Sequence, residues 1–129
     1  MVTSYDAWSA KLLAKEDVDC LLVGDSVMMA VHGEQDTLGA TTEIMAMHTR
    51  AVARGAAGEK FIVADMPFLA ARKGLNEALD SAAALLRAGA HAVKIEGVRG
   101  HADVVHHLVE SGIPVMGHLG LTPQSVNVF

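Results

Sequence analysis

Hydrophobic positions along the chain fall into two alternating kinds of run. Short runs, rich in β-branched residues and bounded by turn formers, include Cys20-Leu21-Leu22-Val23, Phe61-Ile62-Val63-Ala64 and Ala92-Val93-Lys94-Ile95. Consecutive apolar positions of this kind mark strands covered on both faces, as in a parallel sheet. Residues 2–5 and 113–118 read as two more strands, Pro114 standing near the start of the last, where a missing donor is best tolerated. Between them lie stretches of helical period. Asp6 caps a helix over 7–14 with Trp8, Leu12 and Leu13 on one stripe. Thr41 or Thr42 opens a second, with Ile44, Met45, Met47, His48, Ala51 and Val52 in phase and a stop at Gly55 and Gly58. A third runs from Asn76 to Gly89 with Ala78, Leu79, Ala82, Leu85 and Leu86 inward. The last turns Val104, Val105, Leu108 and Val109 inward and ends at Gly112. Residues 26–39 keep no period and read as a long loop over the strand ends.

Strand and helix thus alternate five times, which predicts an α/β domain over 1–129 with a parallel sheet and right-handed crossovers. Period alone leaves open whether the sheet is doubly wound or part of a (β/α) barrel.

Three of the strands close on an acid: Asp25, Asp65 and Glu96. Ligand sites of parallel α/β sheets lie at the carboxyl ends of the strands, so these carboxylates are expected to converge there. Converging carboxylates repel unless a cation sits among them, and oxygen-only ligands favour a hard ion such as magnesium. Either aspartate alone reads equally well as a cap or turn former. Three at one rim point to a shared ion or a substrate site.

Strand alternation puts Lys94 on the face of Glu96, with Val93 and Ile95 toward the helices. A lysine there needs an anionic partner, either a carboxylate such as Glu96 or the carboxylate of a substrate. His118 closes the fifth strand on the same rim, where it either orients substrate or is merely satisfied locally. His101, His106 and His107 read as solvated, His48 as a satisfied helix residue and Cys20 as packing.

Composition narrows the function classes. A net charge of −5 without a Lys/Arg cluster excludes a nucleic-acid footprint. One cysteine excludes an internal disulfide framework and fits a reducing compartment. No run approaches the roughly 20 apolar residues of a membrane span, and residues 1–6 lack the pattern of a secretory leader. A cytoplasmic protein is expected. Nucleophile elbow, phosphate-binding glycine fingerprint and zinc spacing are all missing.

Val23-Gly24-Asp25-Ser26, Ala64-Asp65-Met66-Pro67-Phe68, Val93-Lys94-Ile95-Glu96-Gly97 and the long run from Gly117-His118-Leu119-Gly120-Leu121-Thr122-Pro123-Gln124 to Asn127 resemble, in that order, the ketopantoate hydroxymethyltransferase family. The resemblance runs from Thr3 to Phe129. It implies a (β/α)8 TIM-type barrel of the phosphoenolpyruvate mutase and isocitrate lyase kind, of which about five β/α units are present. It also implies magnesium held by Asp25, Asp65 and Glu96, directly or through water, with Ser26 and Lys94 against the 2-oxo acid. Asp25, Asp65 and His118 would line the substrate site with them. The implied reaction moves a one-carbon unit from 5,10-methylenetetrahydrofolate to 3-methyl-2-oxobutanoate through a magnesium-stabilised enolate, giving 2-dehydropantoate for pantothenate synthesis. Family members form homo-oligomers and are longer, and their general base falls beyond the position of Phe129. An incomplete barrel is therefore expected, with an inactive fragment or a related magnesium-dependent 2-oxo acid lyase as the alternatives. Met28, Gly39 and Val98 depart from the family pattern, Met28 standing where a glycine is usual.

Overall fold

Five strands form one wholly parallel sheet in a computed structural model that describes residues 1–128. They are β1 (Val2–Thr3), β2 (Cys20–Val23), β3 (Phe61–Asp65), β4 (Ala92–Glu96) and β5 (Val115–His118). Their order across the sheet is their order along the chain. A doubly wound sheet reverses at a switch point, whereas a barrel adds each strand beside the last. Sequential order therefore resolves the ambiguity left by period alone: this is part of a (β/α) barrel.

The helices are α1 (Ala7–Leu13), α2 (Val27–Ala30), α3 (Thr42–Ala56), α4 (Leu75–Arg87) and α5 (Ala102–Glu110), followed by a 3-10 segment, Pro123–Val128. Helix α1 packs on α3, α3 on α4 and α4 on α5. Leu21, Val23, Ile62, Ala64, Val93 and Ile95 join Met45, Val52, Leu85 and Leu108 of the helices in a single core. The pleat then turns Asp65, Lys94 and Glu96 to the opposite face. Register sets Asp65 beside Lys94 and Glu96 beside His118.

Several local expectations are corrected. Residues 26–39 hold a short helix, α2, with Val27 and Met28 buried; one turn is too brief to show a period. Met28 has no positive φ, so a backbone path that elsewhere uses glycine here follows an ordinary helical turn. Gly55 does not stop α3, which continues to Ala56 and ends with Ala57 in the left-handed region. A Cβ at Gly55 would collide with the Ala7 carbonyl, so this glycine lets α1 lie directly on α3. As α1 meets Gly55 through the Ala7 backbone and buries Ala10, Trp8 and Leu12 are left exposed instead of forming the inner stripe. Val109 is also exposed, leaving Leu108 as the buried residue of α5. No helix among the described residues is long and apolar enough to cross a membrane.

Candidate active site

The acids that close β2, β3 and β4 stand on one rim, joined by hydrogen bonds. Gly24 turns the chain out of β2 where a Cβ would come within 2.8 Å of Ser26 Oγ and 3.6 Å of Asp65 Oδ2. That close passage brings the Asp25 N–H to Asp65 Oδ2, to which it donates at 3.1 Å. Asp65 Oδ1 lies 2.7 Å from Lys94 Nζ and has no other partner among the described residues. The partner of Lys94 is therefore Asp65 on the neighbouring strand, not Glu96 two residues along its own. Glu96, with a side chain only 6% exposed, accepts from His118 Nδ1 at 3.1 Å and from the Gln124 N–H at 3.0 Å. Gln124 Nε2 in turn donates to Asp25 Oδ2 at 2.7 Å and to the Met66 carbonyl at 2.9 Å.

Burial and the charge of Asp65 push the Asp25 carboxyl up to about 6. Burial also raises Asp65, opposed by the Lys94 ammonium beside it. Both shifts come first from burial, which disfavours the charged form of a carboxyl group. Asp25 Oδ1 receives no hydrogen bond among the described residues. As placed, no three His, Cys, Asp or Glu side chains among the described residues close around a single point as a metal cage would. The chemistry of the donor set nevertheless suits a hard divalent ion: oxygen donors only, on buried carboxylates short of countercharge.

Ser26 Oγ is hydrogen-bonded to the Tyr5 hydroxyl at 2.8 Å, which fixes it at the edge of the rim. His48 is satisfied within the fold, donating from Nδ1 to the Tyr5 carbonyl at 2.7 Å. His106 and His107 are exposed, but His101, expected in solvent, is buried at the start of α5 with Nδ1 donating to the Arg99 carbonyl. Gly100, at positive φ, folds the chain back so that the ring turns inward. It lines a cavity of about 50 Å3 with Arg72, Glu96 and Gln124. Sequence reading missed Tyr5 and Gln124. Gln124 lies within the distinctive run after β5, yet a neutral amide in a loop carries no charge or ligand spacing to single it out.

A profile of the ketopantoate hydroxymethyltransferase family matches residues 1–129. The chain belongs to the ketopantoate hydroxymethyltransferase family. Relatives named 3-methyl-2-oxobutanoate hydroxymethyltransferase agree. One from Bdellovibrio bacteriovorus is 54% identical over 98% of this chain and 48% of its own length. Another from Francisella tularensis is 48% identical over all of this chain and 48% of its own. The chain thus spans about half the length of the curated relatives it matches. Among solved structures, oxaloacetate acetylhydrolase superposes with a TM-score of 0.70 at 16% identity, covering 90% of this chain and 45% of that one. The 2,3-dimethylmalate lyase of the PEP mutase/isocitrate lyase superfamily gives 0.66 at 18%, with the same coverage. Those two likenesses concern the fold alone. They show that the five-stranded sheet of this family member follows the fold of those proteins.

Proposed function

We propose that the chain supplies the cation and oxo-acid part of a site that transfers a hydroxymethyl unit from 5,10-methylenetetrahydrofolate to 3-methyl-2-oxobutanoate, giving 2-dehydropantoate on the route to pantothenate. What carries this reading is the joined rim: three strand-end carboxylates on one string of hydrogen bonds beside a buried lysine. Asp25, Asp65 and Glu96 would hold magnesium, directly or through water. When bound, that ion supplies Lewis acidity, which lowers the barrier to loss of the C3 proton of the oxo acid. Lys94 offsets negative charge on the substrate carboxylate and on the oxygen where charge develops. Ser26, held by Tyr5, and His118, whose ring is fixed through Glu96, would orient the oxo acid. Burial of Asp25 and Asp65 keeps the inner rim poor in water, which strengthens each of these charge interactions. The reading extends to a cytoplasmic homo-oligomer as the working form.

A second reading is a rim that binds the ion without turnover. It is favoured by the Asp65–Lys94 ion pair, which already engages the lysine that an oxo-acid substrate would need. Incubating the purified chain with magnesium, methylenetetrahydrofolate and a panel of 2-oxo acids separates these. Formation of 2-dehydropantoate from 3-methyl-2-oxobutanoate alone supports the transferase. Magnesium binding without product supports the second reading, cleavage of another oxo acid supports a lyase, and neither binding nor product overturns the proposal.

A further inference from the structure

Gln124 touches three strand ends at once. Its two amide hydrogens go to Asp25 Oδ2, beyond β2, and to the Met66 carbonyl, beyond β3, at 2.7 and 2.9 Å. Its main-chain N–H goes to Glu96 Oε2 at the end of β4, at 3.0 Å. No other residue among those described hydrogen-bonds both Asp25 and Glu96, which lie 71 positions apart and on strands that are not neighbours.

We infer that Gln124 is the positioning residue of the rim, holding Asp25 and Glu96 in the orientation in which they receive a divalent cation. This rests on the reading of the rim as a cation site. A carboxamide suits the task for two reasons. It offers two donors in one plane, so one hydrogen orients the carboxylate while the other anchors the amide to the rigid end of β3. It is also neutral. Asp25, Asp65 and Glu96 against the Lys94 ammonium leave two negative charges, the complement of one divalent cation. Lysine or arginine at 124 would donate equally well but cancel part of that charge. With Oδ2 of Asp25 accepting from Gln124, the carboxylate is held in one orientation, in which Asp25 would help to hold the ion. The 3-10 segment Pro123–Val128 thereby becomes part of the site: it delivers a second-layer donor to ligands on two earlier strands.

Manganese binding by the purified chain, followed by electron paramagnetic resonance and competed with magnesium, tests this. Wild type, Gln124→Ala, Gln124→Asn, Ser125→Ala and Asp65→Asn are compared, with circular dichroism and thermal melting as fold controls. Gln124→Ala should weaken binding about 10–100-fold, as loss of an outer-layer partner does elsewhere, while Ser125→Ala, in the same segment, leaves it unchanged. Magnesium should also shift the side-chain amide NMR signals of Gln124 in wild type, which a merely structural role would not require. If Gln124→Ala fails to fold, Gln124→Asn decides, because its shorter amide cannot span Asp25 and Met66 and should weaken binding likewise. Wild-type affinity in the folded Gln124 variants, with binding lost in Asp65→Asn, overturns the inference and leaves the cation site standing. A wild-type chain that binds no manganese overturns both.

Discussion

Asp65 and Lys94 sit directly beside each other across β3 and β4, buried and 2.7 Å apart, and among the described residues neither has another ion-pair partner. Removing one member of such a pair strands the other. Lys94→Met is expected to destabilise the fold by about 3–5 kcal/mol, and Lys94→Met with Asp65→Leu to recover much of it; urea denaturation of both variants measures the difference. Asp25 makes a separate, pH-dependent statement. Its carboxyl is raised from 3.8 to about 6, so the folded chain holds a proton that the unfolded chain releases. Stability from this group is complete below the unfolded value and is lost as pH rises through the folded one. In cation-free buffer the wild-type Tm, taken relative to Asp25→Asn, should therefore fall between about pH 4 and 6. A relative Tm that stays level or rises would contradict it. These acids were legible in sequence because each ends an apolar run, and Lys94 because alternation turns it from the core. Gln124 was not, since only folding brings a loop amide to acids 28 and 99 positions away.

At the scale of elements, the strands were the most legible because their apolar runs are short and sharply bounded, and β3 and β4 match their expected limits. Helix faces were read less well, for reasons visible in the α1–α3 contact. Hydrophobic stripes mark a helix that packs through large side chains, whereas α1 meets Gly55 through the Ala7 backbone and buries Ala10, with Trp8 outside. Small residues carry little hydrophobic signal, so the true contact was hidden behind an apparent one. Gly55→Ala should force these helices apart and destabilise the chain by about 1–3 kcal/mol, despite alanine being the better helix former. A thermal shift to higher Tm in that variant would show that the helices can separate freely. Helix α2 was illegible for a different reason: four residues cannot display a helical period.

For the whole molecule, sequential strand order distinguishes the barrel from an open doubly wound sheet, a distinction that depends on which strands pair and that no run of residues encodes locally. That order lines the ends of β2, β3 and β4 side by side, and so turns three acids spread over 72 positions of sequence into one rim. The segment after β5 then closes back on it through Gln124. The role proposed for this rim requires a divalent cation to enter there. Paramagnetic broadening of backbone amide signals by substoichiometric manganese reports the position of the ion directly. Broadening centred on residues 25, 65–66, 96–97 and 124, and relieved by excess magnesium, is the expected result. Broadening centred elsewhere on the chain, or none at all, would contradict it.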